Sequence, residues 1–329
     1  RGMWFEYWLV LFSCWATSNM MGLLISDSFK TVVTIYILIP FLVIPQIILS
    51  GIIVKYDKLN PTISSPVSIP LYGEVFAARW GYEALAVDQF INNRFEKQFY
   101  GYDKVISTAK FRKDIWYNEM KSILSRLESN LERERLDKSS VNDMMLIRNE
   151  IEEELGFTAA VTFDPGIINP DSITAEALAA ARDYIERVRR YYIEVSRNAV
   201  EARDKVIIAF EQADREAFIR MKKQHTNESL EEFVRNDNEK DKIKRYRDRL
   251  YQNYDQIFFD PTHPLVKAHF YAPQKQVFGL FFGTLAVNTA VIWFMTICLY
   301  ILLYFRVLHH ILDSSEKFIR VMRTKRERG

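Results

Sequence analysis

The stretch VFGLFFGTLAVNTAVIWFMTICLYILLYF, residues 277–305, decides how this chain is read. It carries no charge, is rich in aromatic residues and stops at Arg306. At about 1.5 Å of rise per residue, a helix over it outruns the ~30 Å hydrocarbon core of a bilayer. Two more uncharged runs lie toward the other end of the chain, Tyr7–Ile25 and Thr31–Val54. Only Ser26, Asp27, Ser28, Phe29 and Lys30 separate them, a break so short that the two must form a membrane hairpin. Helices buried in a soluble core are the competing reading, but charge-free stretches of about twenty residues favour a membrane. The expected fold class is an all-α membrane protein with three transmembrane helices plus a long extracytoplasmic helical hairpin, a coiled coil.

Orientation follows from the flanking charges. After the last run, Arg306, Lys317, Arg320, Arg323, Lys325, Arg326 and Arg328 stand against Asp313, Glu316 and Glu327. The positive-inside rule assigns such a tail, 306–329, to the cytoplasm. Counting back, the last span runs inward, the Ser26–Lys30 turn is cytoplasmic, and both Arg1 and everything from Lys55 to Gln276 lie outside. The chain opens on Arg1 and Gly2, with no signal-peptide order behind them, and reads as a piece of a longer polypeptide. Pro40 and Pro45 remove backbone donors inside the second span, which calls for neighbours to satisfy the freed carbonyls or marks a simple kink. Asn19, Gln46 and Ser50 are polar at membrane depth and should face other helices or a cavity.

The outer segment divides into three parts. Residues 55–104 begin rich in proline and serine, then mix aromatic and polar residues from Leu71 to Trp80, as an interfacial or re-entrant segment does. Residues 105–225 read as an antiparallel helical hairpin with near-equal arms, Val105–Leu155 and Thr174–Lys223, turning at Gly156–Ile173. Its returning arm carries Leu178, Ala181, Ile185, Val188, Tyr192, Val195, Ala199, Ala202, Val206, Ala209 and Ala213 in alternating steps of three and four, a coiled-coil seam. The outgoing arm is broken at Asp137–Ser140, where Ser139 or Ser140 would cap a second piece. Straight arms would carry the tip about 75 Å from the membrane, to touch a partner or to act as a spacer. Residues 226–276 contain a further charged helix, Glu228–Tyr254, and return through Asp260, Pro261 and Pro264 to the membrane.

Several chemistries are missing from the pattern. The formal net charge is +2, with both signs interspersed through the polar middle, so there is no electrostatic case for nucleic acid. Cys14 and Cys298 lie inside apolar runs, where thiols act as small hydrophobes. No phosphate-binding loop, nucleophile motif or metal-ligand spacing occurs. His225, His263, His269, His309 and His310 are scattered, and the adjacent pair cannot share one helical face. No catalytic residue and no cofactor is expected within this chain.

Short motifs in order give a resemblance. Ser18–Ser26 (SNMMGLLIS) resembles the end of the fourth span of G-type ATP-binding-cassette exporters, the white/pigment-type half-transporters, and Ser28–Val33 the start of their fifth. Pro45–Gly51 (PQIILSG) resembles the outer end of that fifth span. Arg79–Leu85 (RWGYEAL) with Gln89 and Phe90 resembles the segment before the family's outer loop, and 277–305 its sixth span. The resemblance implies the C-terminal half of a membrane domain working as a homodimer or paired half-transporter in a bacterial inner membrane. ATP and Mg would bind in a domain of the same polypeptide that precedes Arg1. It also implies that Ile52 and Ile53, after the serine–glycine, close the outer end of the substrate pathway, with Ile44 and Ile47 deeper in it; Asn19 and Gln46, polar at membrane depth, are further candidates to line it. The family's outer loop is short and often cystine-stabilised, whereas this one is long and lacks cysteine. The alternative function is a membrane-anchored coiled-coil scaffold, or an envelope machine that transmits mechanical work.

Overall fold

The computed structural model describes residues 2–326 except 30, 54, 55, 57–64, 66, 67, 159, 160, 171, 262 and 264, with the side chains at 316 and 318–326 also left out. The termini Arg1 and Arg328, the turn residue Lys30, most of the proline-rich link and Pro264 thus fall outside the described residues. The chain is mostly helical and forms two compact units, residues 1–89 with 260–329, and residues 90–259.

The first unit holds α1 (Trp4–Ser28), α2 (Val32–Ile48), the single turn α3 (Leu71–Glu74), α4 (Ala77–Asn92), α10 (Thr284–Tyr304) and α11 (Val307–Arg326). Two of these, α1 and α10, are long and apolar enough to span a membrane, with only 22% and 28% of their most apolar windows buried. They pack in parallel. Phe12 meets Trp293 with ring centroids 6.2 Å apart, the Thr17 and Thr296 hydroxyls lie 2.7 Å apart, and Asp27 takes the Arg306 guanidinium at 2.9 Å. Small and polar residues share this seam with Val10, Leu24, Val287 and Ile292, a mixture that helices packing in an apolar medium use.

Two differences from the sequence reading concern the apolar runs. The second run is helical over only 17 residues and stops at Ile48, because Gly51 leaves the helix at φ +86°. The third does not begin as helix. Its first residues form a β-hairpin, strands β3 (Gln274–Val277) and β4 (Leu280–Gly283), around the two-residue turn Phe278–Gly279. Strand-favouring Val and Phe, punctuated by Gly279 and Gly283, outweigh the helical reading there.

The second unit is a helical bundle of α5 (Glu96–Lys110), a π-helical stretch (Phe111–Trp116), α6 (Tyr117–Glu132), α7 (Lys138–Phe157), α8 (Ala175–His225) and α9 (Glu228–Arg235). The expected two-armed hairpin is corrected here. The outgoing arm doubles back at Glu134, φ 53°, so that α7 lies antiparallel on α6: Arg126 Nε reaches Asp143 at 2.8 Å and Arg112 Nε reaches Glu154 at 3.2 Å. Glu154 is therefore back beside the start of the arm, and 156–173 is not its far turn. Asp137, not a serine, caps α7, accepting from the Ser140 backbone N–H at 2.9 Å. The returning arm is the single 51-residue α8, interrupted at Asp214, and it runs antiparallel to α5 and α6 through Arg182–Glu128 and Arg203–Asp103. Its seam is buried from Leu178 to Tyr192, half-buried to Val206, and exposed at Ala209 and Ala213.

The expected helix over 228–254 is also corrected. It ends at Asn236, φ 54°, and is followed by a second hairpin, β1 (Ile243–Tyr246) and β2 (Arg249–Gln252), lying on α7 through Arg245–Asp143 and Asn149–Asp248. The fold class stays mostly helical, with two small β-hairpins added to it among the described residues.

Candidate functional site

The six residues expected to line a pathway are not enclosed by the described residues. Ile44 and Ile47 on α2, and Ile52 and Ile53 just beyond it, are exposed, and α2 has no buried side chain among the described residues. Asn19 is exposed on α1 and donates to the Trp15 carbonyl at 2.9 Å. Gln46 is part-buried, with its amide 3.9 Å from Met21 Sδ, and Ser50 is buried, donating to the Ile47 carbonyl. The turn after α2 is held firmly. A Cβ on Gly51 would stand 2.6 Å from the Phe270 ring, and Tyr56 donates to the Leu49 carbonyl. This places the end of α2 beside the segment that leads into α10.

The most concentrated chemistry lies at that same end, where α4 meets the start of α10. In the sequence ARWGYEA, Arg79 and Glu83 sit one helical turn apart, and both are fully buried. Arg79 donates to Glu83 at 2.8 Å and to Glu74. Lys275, from β3, reaches the same Glu83 oxygen at 2.6 Å, and the Asn288 amide of α10 reaches it at 2.8 Å. Asn288 also donates to the Trp80 carbonyl at 3.0 Å. The Trp80 ring supports both cations, with Arg79 Cζ 3.5 Å and Lys275 Nζ 4.4 Å from its centroid. Two positive and two negative side chains balance, which is the condition for keeping charge away from water.

Burial would raise the Glu83 carboxyl, but Lys275 and Arg79 outweigh it and hold it below the usual carboxylate range. Burial lowers the Lys275 ammonium, against the pull of Glu83, to about 8. Glu74 is raised by burial, with Arg79 opposing. The knot ties α3, α4, β3 and α10 together. Glu83 Oε1, Arg79 Nε and Asn288 Oδ1 have no hydrogen-bond partner among the described residues, so the site keeps capacity for further polar contacts. Close packing of α4 on α1 shields it: a Cβ on Gly81 would stand 2.6 Å from Cys14 Sγ, and Tyr7 donates to Gln89 at 2.5 Å.

The sequence reading took Arg79 to Leu85 as part of a resemblance and passed over the ion pair inside it. The available signal was two opposite charges at i and i+4 in the apolar first half of α4. Nothing local pointed to Lys275 or Asn288, which arrive through the tertiary fold. Among the described residues no group of three His, Cys, Asp or Glu side chains is placed to hold a metal ion. Compared with protein-family models, curated proteins and solved structures, the chain shows no significant match.

Proposed function

We propose that this chain is part of a multi-pass membrane protein in which α1, α2 and α10 all cross the bilayer. The parallel packing of α1 and α10 carries this reading. Two spans running the same way require one return crossing between them, and α2 is the apolar helix that lies between them in sequence. At about 1.5 Å per residue it is ~26 Å long, and its closing turn adds to its reach. The basic tail then sets the C-terminus in the cytoplasm and the long insertion outside.

Within that class, the particular reading is the C-terminal permease portion of an ATP-driven exporter of the G type, in a bacterial inner membrane. The protein would act as a homodimer or paired half-transporter, with ATP and Mg bound by another domain of the same polypeptide. The motif order supports this, as does the exposure of Ile44 and Ile47 on α2 and of Ile52 and Ile53 just beyond it, which are free to meet further helices and form an apolar constriction. The 90–259 bundle would serve as a periplasmic partner-contact or spacing element.

Accessibility to a membrane-impermeant maleimide tests the class, with Cys14 and Cys298 replaced by Ala. Ser139→Cys should react in intact spheroplasts and Ser315→Cys only after permeabilisation; reaction of both from one side would rule out three crossings. For the particular function, Ile52→Ser with Ile53→Ser in the full polypeptide should abolish efflux of an amphipathic dye from cells while basal ATP hydrolysis persists. Unchanged efflux would remove the isoleucines from any pathway.

A further inference from the structure

We infer that the β3–β4 hairpin is a leaflet anchor, seating the Phe278 side chain at the headgroup–acyl boundary of the bilayer where α10 enters it. This rests on the reading of α10 as a membrane span.

The turn residue is the first observation. Phe278 and Gly279 both take positive φ, 51° and 85°, as a two-residue hairpin turn with matching twist requires. Glycine and asparagine suit the first of these positions, whereas an aromatic residue there is strained. Yet phenylalanine occupies it and is 87% exposed, so the strain is compensated by little packing among the described residues. An outlier of this kind points to a use outside the fold.

The rest of the hairpin has the same character. Leu280, Phe281 and Phe282 are exposed on both faces of β4, and so is Leu265, which bridges to Val277 along the other edge of β3. Strands facing water on one side alternate apolar and polar residues. β4 does not.

Position names the occupant. Gly283 passes directly from β4 into α10, and the Thr284 hydroxyl donates to the Ala272 carbonyl, so both ends of the hairpin are tied to the first turn of the span. Four strand residues at about 3.3 Å each keep Phe278 within ~15 Å of that turn, in reach of the interfacial layer. Because α1 runs parallel to α10, its exposed Trp4, Phe5 and Trp8 mark the same end. Aromatic residues gathered at one end of a pair of spans are the signature of a membrane interface. The only cation in the two strands, Lys275, is buried in the ion cluster, so attachment should be apolar and insensitive to salt.

The test uses the full chain in liposomes, with Cys14 and Cys298 replaced by Ala and an environment-sensitive fluorophore on one introduced cysteine. Tyr300→Cys, on the exposed face of α10, reports on the span, and Arg247→Cys, at the tip of the β1–β2 hairpin, should read as water. Phe278→Cys should be blue-shifted and quenched more by a nitroxide near the lipid headgroup than by one deep in the acyl chain, equally at low and high salt. If Tyr300→Cys is quenched by lipid but Phe278→Cys is not, the anchor is wrong and the span stands. If neither is quenched, the span fails and the anchor with it. A blue shift at 278 without lipid quenching means that a protein covers the hairpin, which also overturns the proposal. In a separate measurement Phe278→Asn, which suits the turn, should keep the thermal midpoint of the chain while quenching of a fluorophore at Phe281→Cys falls at least twofold; unchanged quenching would remove Phe278 as the anchor.

Discussion

Helices α8 and α10 are both rich in apolar residues and use them in opposite ways. Along α8 the buried side chains include Leu178, Ala181, Tyr184, Ile185, Val188 and Tyr192, while arginines and glutamates cover much of the other faces. Along α10 the buried residues include Thr284, Asn288, Thr289 and Thr296, while Phe294, Ile297, Tyr300 and Ile301 look outward. α1 follows α10, with Ser13 and Thr17 inward and Trp8, Leu11 and Trp15 outward. One chain thus contains two folding rules, each suited to a different surrounding medium. In water the apolar stripe must be hidden; in lipid there is nothing to hide it from, and small or polar residues do the pairing.

The largest expected effect strikes the cluster where the first unit buries two cations and two carboxylates together. Glu83→Gln leaves Arg79 and Lys275 with Glu74 as the remaining carboxylate, and breaking a buried pair on one side costs about 3–5 kcal/mol. Detergent-purified protein should lose its monodisperse peak at a markedly lower temperature. Adding Lys275→Gln should restore part of the loss, because it removes the orphaned cation; no recovery would mean that Glu83 acts mainly through Arg79 or Asn288.

A matched pair of truncations separates the two media. Leu124 of α6 is fully buried in the bundle, so Leu124→Ala should cost about 2–5 kcal/mol. Ile297→Ala removes an apolar group from the outward face of α10 and should change stability by no more than about 0.5 kcal/mol. Thermal melts of the two variants check the contrast. If Ile297→Ala costs as much as Leu124→Ala, that face of α10 packs against protein instead of lipid.

These contrasts explain which parts of the fold could be read from sequence. The uniform apolarity of 284–304 and the three-and-four spacing from Leu178 to Tyr192 are local patterns, and both appear as helices. The fold-back at Glu134 was hidden because α6 and α7 carry similar amphipathic patterns, and a continuous arm satisfies the same periodicity. The β3–β4 hairpin was hidden by its apolarity, which hydropathy merges with the span behind it, although Phe278–Gly279 was a turn signal. Of the buried cluster, Arg79 and Glu83 were legible as a pair. Lys275 and Asn288 were not, since only the return of the chain to α4 brings them in. The isoleucines named for a pathway, Ile44 and Ile47 on α2 and Ile52 and Ile53 just beyond it, are exposed, and the role proposed for them would need further helices against them.

The last effect concerns pH and bears on whether the buried cluster is held as strictly as the apolar core of the bundle. Lys275 has its pKa lowered to about 8, chiefly by burial, while the unfolded side chain titrates near 10.4. Between these values the unfolded chain binds more protons than the folded one, so this residue makes stability rise with pH. Below about pH 8 the ammonium is charged in both states and the full penalty of burying it is present. Above about pH 10.4 it is neutral in both, and the gain is complete. The thermal midpoint of the native protein should therefore improve, relative to Lys275→Met, as pH is raised from 8 toward 10, with other titrating groups cancelling in the difference. A flat difference would mean that Glu83 keeps Lys275 charged throughout, tying the ion cluster as firmly as packing ties Leu124.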